Sequence, residues 1–589
     1  MTIEPSRWWI DHPEWLDGEM EALRHEGLHP VLEEDTRRVV ISCSDPRDGN
    51  SRRLEIVYPD SFPDMPPHVY GDQYKDLGRH VNPNDGMLCL IGRDPVSWKP
   101  SLTAARLIVE QLPELVDSIM EGGERLRRSE EPQGEPFSAF YEYAQNGAVL
   151  IPEEFLGTQI SGTRGTFSVS ANNLAWIKSA LTRQEPMELG QVLLRSLTSQ
   201  GRRLDTALEM RGFQNVPIRG HWAAVETPPS GSTADEVLDS LREVFSELKH
   251  PRKIIKPTLF GVIFDEEVHQ GIWSPAWLFL AVHWVKDKKG REGTLQKALL
   301  RGLRYTRQDL MARIPELHTL PAKTVAVLGQ GALGSDLDFE LARSQIGTLR
   351  LADYDFADPA ASVRGTDGIP AAGIHKARYQ AAKLKSHFPL LNVEPVDLYI
   401  GQAPRESPEP GRHERQILAR LLSAVDLVVD ATADENVNLT LSLAVESAEI
   451  PHVVVWGVDG YGGVIVRLRP GVTGCFFCFL IRRAPEYDGD DRIVPPPAAE
   501  NNTSTQPRGC TEITVAAAGF DLSILANHAA RVAAATLSEG EPNGYPSYQE
   551  DVWVLAIRNP NGSLLPAPQW RSYTLPPHPD CSRCGSTAN

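Results

Sequence analysis

No apolar run in this chain of 589 residues approaches the roughly 20 residues needed to span a bilayer. The longest, Ala276 to Val285, is about half that length and contains His283, so neither a membrane-spanning helix nor a membrane partner is expected. Basic charge is in short supply as well, with 59 Lys and Arg against 78 Asp and Glu and a formal net charge of -19. Phosphate backbones are held mainly by clustered Lys and Arg, so this balance argues against a nucleic-acid partner. The small basic run Arg125-Leu126-Arg127-Arg128 reads as a solvated helix end. The opening stretch, MTIEPSRWWIDHPEW, has neither the basic flank nor the apolar core of a secretory signal, and the expected compartment is the cytoplasm.

Cysteine is scarce too. Seven residues in so long a chain make no disulfide framework, and four of them form two C-x-x-C pairs, Cys475/Cys478 and Cys581/Cys584. Two such pairs can supply the four thiolates of a closed tetrahedral zinc site, which would staple the C-terminal end of the sequence to a segment about a hundred residues earlier. Cys43, in the strand-like run RRVVISCS, reads as a small buried hydrophobe.

The length implies about three or four domains. Residues 1–145 read as an α+β domain, with a helix near Glu14 to Glu26, strands at Arg38 to Cys43 and Arg53 to Tyr58, a proline-rich turn region and a helix from Leu102 to Met120. Residues 151–298 give mixed strand and helix signals, an α/β linker domain without a chemical motif, in which ETPPSGSTADE reads as an N-capped entry to a helix. From about 300 to 589 the pattern is strand, Gly-rich turn, helix, strand, the start of a doubly wound parallel sheet. Arg482 to Arg508, with PPP and NNTSTQP, reads as a long loop, functional or disordered, and is expected to move between reaction steps.

TVAVLGQGALGS sets Gly329, Gly331 and Gly334 in G-x-G-x-x-G spacing between an apolar strand and a helix. Such glycines allow a tight turn and close approach of backbone N–H groups to phosphate, which suits NAD, FAD or ATP about equally. The surroundings narrow the choice. The next strand ends in LRLADYDF, with Asp353 and Asp355, and RYTRQ precedes the glycines. With these residues the segment resembles the ubiquitin-activating (ThiF-like) fold shared with the bacterial activators of sulfur carriers. The resemblance implies that Asp353 holds the ATP ribose, that Arg364 and Lys376 contact the phosphates, and that Asp434, following the strand that ends at Asp430, helps bind Mg2+. It also implies that Arg307 reaches the partner subunit's nucleotide site, hence a homodimer. The chain departs from the family pattern at Ala361 and Gly365, where Asn and Gln are usual. Attack of a carboxylate on the α-phosphate concentrates negative charge that Arg, Lys and Mg2+ stabilise. In this family the position of Cys510, in PRGCTEITVAAAGFD, commonly carries the cysteine that accepts the acyl group, and a nearby helix N-terminus would favour its thiolate.

In the first domain YPDSFPDMPPHVY, HVNPNDGMLCL and SWKPSLTAARLI follow one another. Together they resemble the ubiquitin-conjugating fold, in which the cysteine, here Cys89, carries the donor as a thioester. Asn82 or, because the interval to the cysteine is a residue shorter than usual, Asn84 would stabilise the oxyanion. Val81 replaces the usual proline of H-P-N, and His80 reads as a residue that fixes the loop. The order of domains resembles bacterial fusion proteins of CBASS antiphage operons and of related ubiquitin-like operons. That resemblance implies adenylation of a protein C-terminus, carriage on Cys510 and then Cys89, and transfer to a lysine amine. The donor would be the CBASS nucleotidyltransferase or a ubiquitin-like protein. The alternatives are a sulfur-carrier activator whose first domain only docks a partner, and a non-catalytic scaffold.

Overall fold

The computed structural model describes the chain except for residues 1–6, 34–37, 49–50, 78–79, 91–97, 121–134, 158–162, 172–189, 217, 270, 287–292, 402, 404–408, 410, 459–460, 498–504, 509–511, 515 and 585–589. The chain divides into two compact units, one of Met1–Ala207 with Gly212–Tyr305, the other of Leu208–Arg211 with Thr306–Asn589.

The first unit begins with α1 (Trp8–Asp11) and α2 (Pro13–His25), followed by five antiparallel strands in sequence order. These are β1 (Val31–Leu32), β2 (Val39–Ser44), β3 (Arg53–Tyr58), β4 (His68–Tyr70) and β5 (Met87–Leu88); α3 (Ala104–Met120) follows. Alternation in β3 buries Leu54, Ile56 and Tyr58 against Leu23 of α2 and Ile108 and Leu112 of α3. Glu19, 3% exposed, ties the layers together by accepting the Tyr58 hydroxyl at 2.7 Å and the Ala104 N–H at 2.9 Å. Cys43 is buried in this core, and burial pushes its thiol up to about 12, which suits the inert role expected of it.

Residues 143–305 differ from the α/β reading. They form a mixed sheet of β6 (Tyr143–Pro152), β7 (Arg164–Ala171), β8 (Gly190–Ser199), β9 (Arg202–Asp205), β10 (Gln214–Asn215), β11 (Arg219–Ala224), β12 (Thr258–His269), β13 (Ile272–Lys286) and β14 (Gly293–Tyr305). Because β7 pairs with both β11 and β8, the ring β7-β11-β12-β13-β14-β6-β8 closes into a barrel. One face of the strands, with Leu259, Ile263, Trp277, Phe279 and Leu300, forms one core cluster. The other face, with Phe260, Val262, Leu278 and Leu280, packs on Val237, Leu238 and Leu241 of α4 (Ala234–Leu241). Strands buried on both faces read as continuous apolar runs without the alternation that marks a half-exposed strand. The N-capped entry is present: Thr233 and Glu236 form a reciprocal capping box at α4. The expected boundary at 298/300 falls inside β14, and the unit break lies at Tyr305/Thr306.

The second unit holds an eight-stranded sheet. Its parallel part is β15 (Thr324–Leu328), β16 (Thr348–Asp353), β17 (Asn392–Asp397), β18 (Leu427–Asp430) and β19 (His452–Val458), in the order β17-β16-β15-β18-β19. Antiparallel β20 (Gly462–Leu468), β23 (Val552–Arg558) and β24 (Leu564–Tyr573) continue it. Helices cover both faces. On one side α6 (Ala332–Arg343), α7 (Lys376–His387) and the Ala-rich α11 (Gly519–Leu537) cover Val325, Val327, Leu427 and Val429. On the other, α8 (Glu414–Leu422) and α9 (Glu435–Ser447) cover Ala326, Leu328 and Val428. The short α5 (Arg307–Met311) precedes the sheet, and α10 (Phe476–Arg483) follows β20.

The long loop expected from Arg482 is in its first part a pinned turn. Arg482, 2% exposed, lies in the last turn of α10, pairs with Asp491 and accepts the Ile493 N–H on its carbonyl at 3.0 Å. Further on, β21 (Thr505–Arg508) and β22 (Glu512–Thr514) pair antiparallel as a two-stranded sheet.

On β19, His452 is fully buried, and desolvation pushes its pKa down to about 3. The unfolded chain takes up a proton near pH 6.5 that the folded chain refuses, so this contribution is complete above 6.5 and is lost as pH falls toward 3. Between pH 7 and pH 5 the loss amounts to about 2 kcal/mol. In urea unfolding, His452→Leu is expected to lose about that much less than the parent over this interval. Equal losses in the two proteins would refute the assignment.

Candidate functional site

The strand order reverses at β15: β16 lies on one side and β18 on the other. Ligands of doubly wound sheets bind beyond the carboxyl ends of the strands at such a switch point, and the glycine loop lies there. Gly329 has φ +86°, and a Cβ there would lie 2.7 Å from the Ala431 carbonyl. A Cβ on Gly334 would come within 1.8 Å of the Gly329 oxygen, so α6 packs this closely on the loop only with glycine there. At Gly331, the N-cap of α6, a Cβ would meet nothing within 4 Å. The loop backbone is therefore open to an approaching anion at a helix N-terminus.

That loop forms one wall of a cleft with about 530 Å³ of empty space, lined by Gln330, Gly331, Ser335, Arg364, Gly365 and Lys376 among others. Asp353, at the end of β16, accepts the Gln330 N–H at 2.6 Å on one oxygen and the Asp355 N–H at 2.8 Å on the other. It thus braces the glycine loop. Lys376 opens α7 and is paired with Asp355. Arg364 follows a 3-10 turn over Pro359–Val363 that Asp358 caps through the Ala360 N–H at 2.8 Å. Gly331, Arg364 and Lys376, separate in the sequence, thus meet at one cleft. Sequence reasoning missed Lys383, which binds the Thr366 hydroxyl at 2.6 Å and Asp367 at 3.0 Å and so fixes the segment just after Arg364. Its signal was available, since Lys383 lies two turns after Lys376 on the same face of α7.

Two expected cleft residues have other local bonds. Asp434 is the exposed N-cap of α9, its Oδ1 accepting from Asn436 N–H at 2.8 Å and Val437 N–H at 3.2 Å. Asp430 before it is buried and binds Thr432 and Asn438; burial raises its carboxyl above the usual range. Arg307 donates to the Leu390 carbonyl of its own chain at 3.0 Å. Cys510 lies outside the described residues; in the sequence it falls between β21 and β22, and α11 starts at Gly519.

The four C-x-x-C sulfurs lie within 4.8 Å of one another. Cys475 is 3.9 Å from Cys478 and 3.6 Å from Cys581, against about 3.8 Å for the edge of a tetrahedron with ~2.3 Å zinc–sulfur bonds. The shared hydrogen bond with Cys475 holds the Cys478 thiol well below its usual range against the desolvation of burial, and the His578 N–H, 3.3 Å from that sulfur, acts in the same direction. A Cβ on Gly474 would meet the Cys478 Cβ at 2.8 Å. The donor set and its spacing fit zinc.

In the first domain Cys89 is exposed. Its N–H donates to the His80 carbonyl at 2.9 Å, and His80 has φ +56°, so the buried histidine shapes the backbone facing Cys89. Asn82 N–H donates to the Met87 carbonyl and Gly86 N–H to the Asn82 carbonyl, each at 2.9 Å, which closes a tight hairpin. The Asn84 N–H donates to Asn82 Oδ1 at 2.9 Å, whereas the Asn84 amide donates to the Phe140 carbonyl at 3.3 Å. Of the two candidate amides, Asn84 is therefore engaged with the 3-10 turn Phe137–Phe140.

Comparisons with known proteins agree with this division. Residues 305–553 match the ThiF family and residues 22–150 match prokaryotic E2 family B. A Sinorhizobium fredii protein, the uncharacterized y4oA, is 25% identical over 99% of this chain and 98% of its own length. Ubiquitin-like modifier-activating enzyme 5 of Drosophila willistoni is 27% identical over 28% of this chain and 41% of its own length. The crystal structure of E. coli MccB with ATP aligns with a TM-score of 0.33 and 17% identity, covering 46% of this chain and 69% of that one. With an E2-like sequence before the barrel and a ThiF sequence after it, the chain is a fusion of an E2-like domain with an E1-like ThiF domain.

Proposed function

We propose that the chain uses ATP to adenylate the C-terminus of a protein, carries it as a thioester on Cys510 and then Cys89, and joins it to a lysine amine of a target. The observation that carries the reading is the presence in one chain of an exposed cysteine in an E2-like domain and of a cleft at the switch point of a ThiF sheet where the glycine loop meets Arg364 and Lys376. The glycine loop with Arg364 and Lys376 would hold the triphosphate and Asp353 the ribose. Asp434 would contribute its second carboxylate oxygen to Mg2+, which neutralises phosphate charge. Asn82 would donate to the oxyanion when an amine attacks the Cys89 thioester. In a cytoplasmic homodimer Arg307 would leave its Leu390 contact for the neighbouring cleft, and the four cysteines would hold a structural zinc. The donor is a CBASS nucleotidyltransferase or a small ubiquitin-like protein, and the process antiphage defence.

Intact mass of Cys89→Ser, expressed beside its genomic neighbours, tests this reading, because serine would retain the donor as a stable oxyester. An adduct mapped to position 89 is expected, and its mass names the donor. ATP turnover without such an adduct, where the same change traps a known conjugating protein, would instead make the first domain a docking module for a sulfur-carrier activator.

A further inference from the structure

Hydrogen bonds, joined through the backbone of one short turn, connect the barrel to the hairpin that precedes Cys89. Glu266 on β12, 6% exposed, accepts the Ser138 N–H and the Ser138 hydroxyl, one on each oxygen, both at 2.8 Å. The Ser138 carbonyl accepts the Tyr143 hydroxyl at 2.7 Å, so the 3-10 turn Phe137–Phe140 is held from both sides. The last carbonyl of that turn, Phe140, receives the Asn84 amide, and the Asn84 N–H in turn fixes Asn82 Oδ1. A carboxylate taken out of water at this position costs free energy unless both of its bonds are made, so the turn it holds has little freedom.

We propose that the barrel is a positioning domain for the transfer step, in which Glu266, Ser138 and Asn84 aim the Asn82 amide at the carbonyl carried by Cys89. The inference rests on the conjugation reading above. Oxyanion donors act only within about 0.5 Å of their working geometry. Pinning Asn82 Oδ1 fixes the plane of its amide, and hence where its N–H groups point. None of the three positioning residues needs to touch the donor. Their role would explain why a barrel without chemical motifs stands next to an E2-like domain.

Two readouts on the full chain test it. In the first, hydrogen exchange across residues 80–89 is followed in Asn84→Ala and Glu266→Ala. At least a fivefold faster exchange is expected in both, and parental exchange in Asn84→Ala overturns the proposal whatever the chemistry. In the second, the Cys89 thioester is loaded and then attacked by free lysine. The turnover rate should fall about tenfold in each variant while KM for lysine and the extent of loading stay parental. The double variant should be no slower than the slower single one, because both changes cut one chain of contacts. Glu266→Gln, whose amide can accept from the Ser138 N–H and donate to its hydroxyl, should restore the rate. Multiplying effects in the double variant, or parental aminolysis in Asn84→Ala, which lies outside the barrel's fold, would overturn the proposal. Faster exchange with no thioester in the parent would leave the relay standing and sink the conjugation reading instead.

Discussion

Arg364→Ala is expected to lower ATP–pyrophosphate exchange by about 10²- to 10³-fold, the usual cost of removing one donor aimed at developing charge. The cleft offers two cations at the loop, and they are not equivalent. Lys376 is paired with Asp355, so part of its charge is already neutralised within the protein. Arg364 ends a capped turn whose following residues are held by Lys383, which fixes its backbone before any nucleotide arrives. A guanidinium can also take two phosphate oxygens in one plane, which an ammonium cannot. Arg364→Lys should therefore recover only a minor part of the exchange. Arg364 is half-buried and lies outside the apolar clusters of the sheet, so the melting temperature should stay within a few degrees of the parent. Exchange within twofold of the parent in the alanine variant would remove Arg364 from the reaction and with it the phosphate assignment of the cleft.

The second large effect is expected from the four cysteines. One zinc per chain should be found by elemental analysis, and Cys478→Ser should abolish it. The melting temperature of the second unit should then fall by roughly 10 °C, corresponding to about 4 kcal/mol. After β24 the sequence from 574 to 584 forms no regular element and is attached through single side chains, among them His578 against Tyr487 and Arg583 over Phe477. Leu575 is buried and receives the Gly474 N–H on its carbonyl at 2.6 Å, and its own N–H reaches Asp551. The cluster that includes the cysteines has Val454 of β19, Val464 of β20 and Phe476 and Phe479 of α10 among its apolar partners. Losing the metal would thus loosen the sheet around β20 and β23 before the strands that carry the glycine loop. Cys43→Ser is the control, since that thiol is buried in another core and should leave the zinc content unchanged. A metal-free parent with the same melting temperature would show that the cysteines need no ion.

Local chemistry made the ends of the molecule readable. The G-x-G-x-x-G spacing needs only a turn and a helix start, and Gly329, Gly331 and Gly334 have the backbone roles that spacing implies. The two C-x-x-C pairs converge because each is a short knuckle that can be recognised alone. The barrel was not legible. Its closure depends on β7 meeting β8 and on β6 meeting β14, pairings that no adjacent turn announces. The Asn84 to Phe140 contact is of the same kind, and so the choice between two amides stayed open at the level of sequence. Residues 484–497 carry no helix or strand, as a polar, proline-rich stretch suggests; what the sequence does not announce is that the Arg482 guanidinium is buried against Asp491.

Barrel closure also constrains the order of events during synthesis. β6 cannot gain its β14 partner until the ribosome has passed Tyr305, so for about 150 residues of elongation one of its sides offers unpaired N–H and C=O groups. Pairing over such a separation is slow relative to hairpin formation, because loop entropy must be lost before the contacts form. The E2-like domain is complete by then, whereas the ThiF sheet has not begun. A nascent chain stalled before β14 should therefore recruit chaperones or cross-associate through β6, and one stalled after Tyr305 should not.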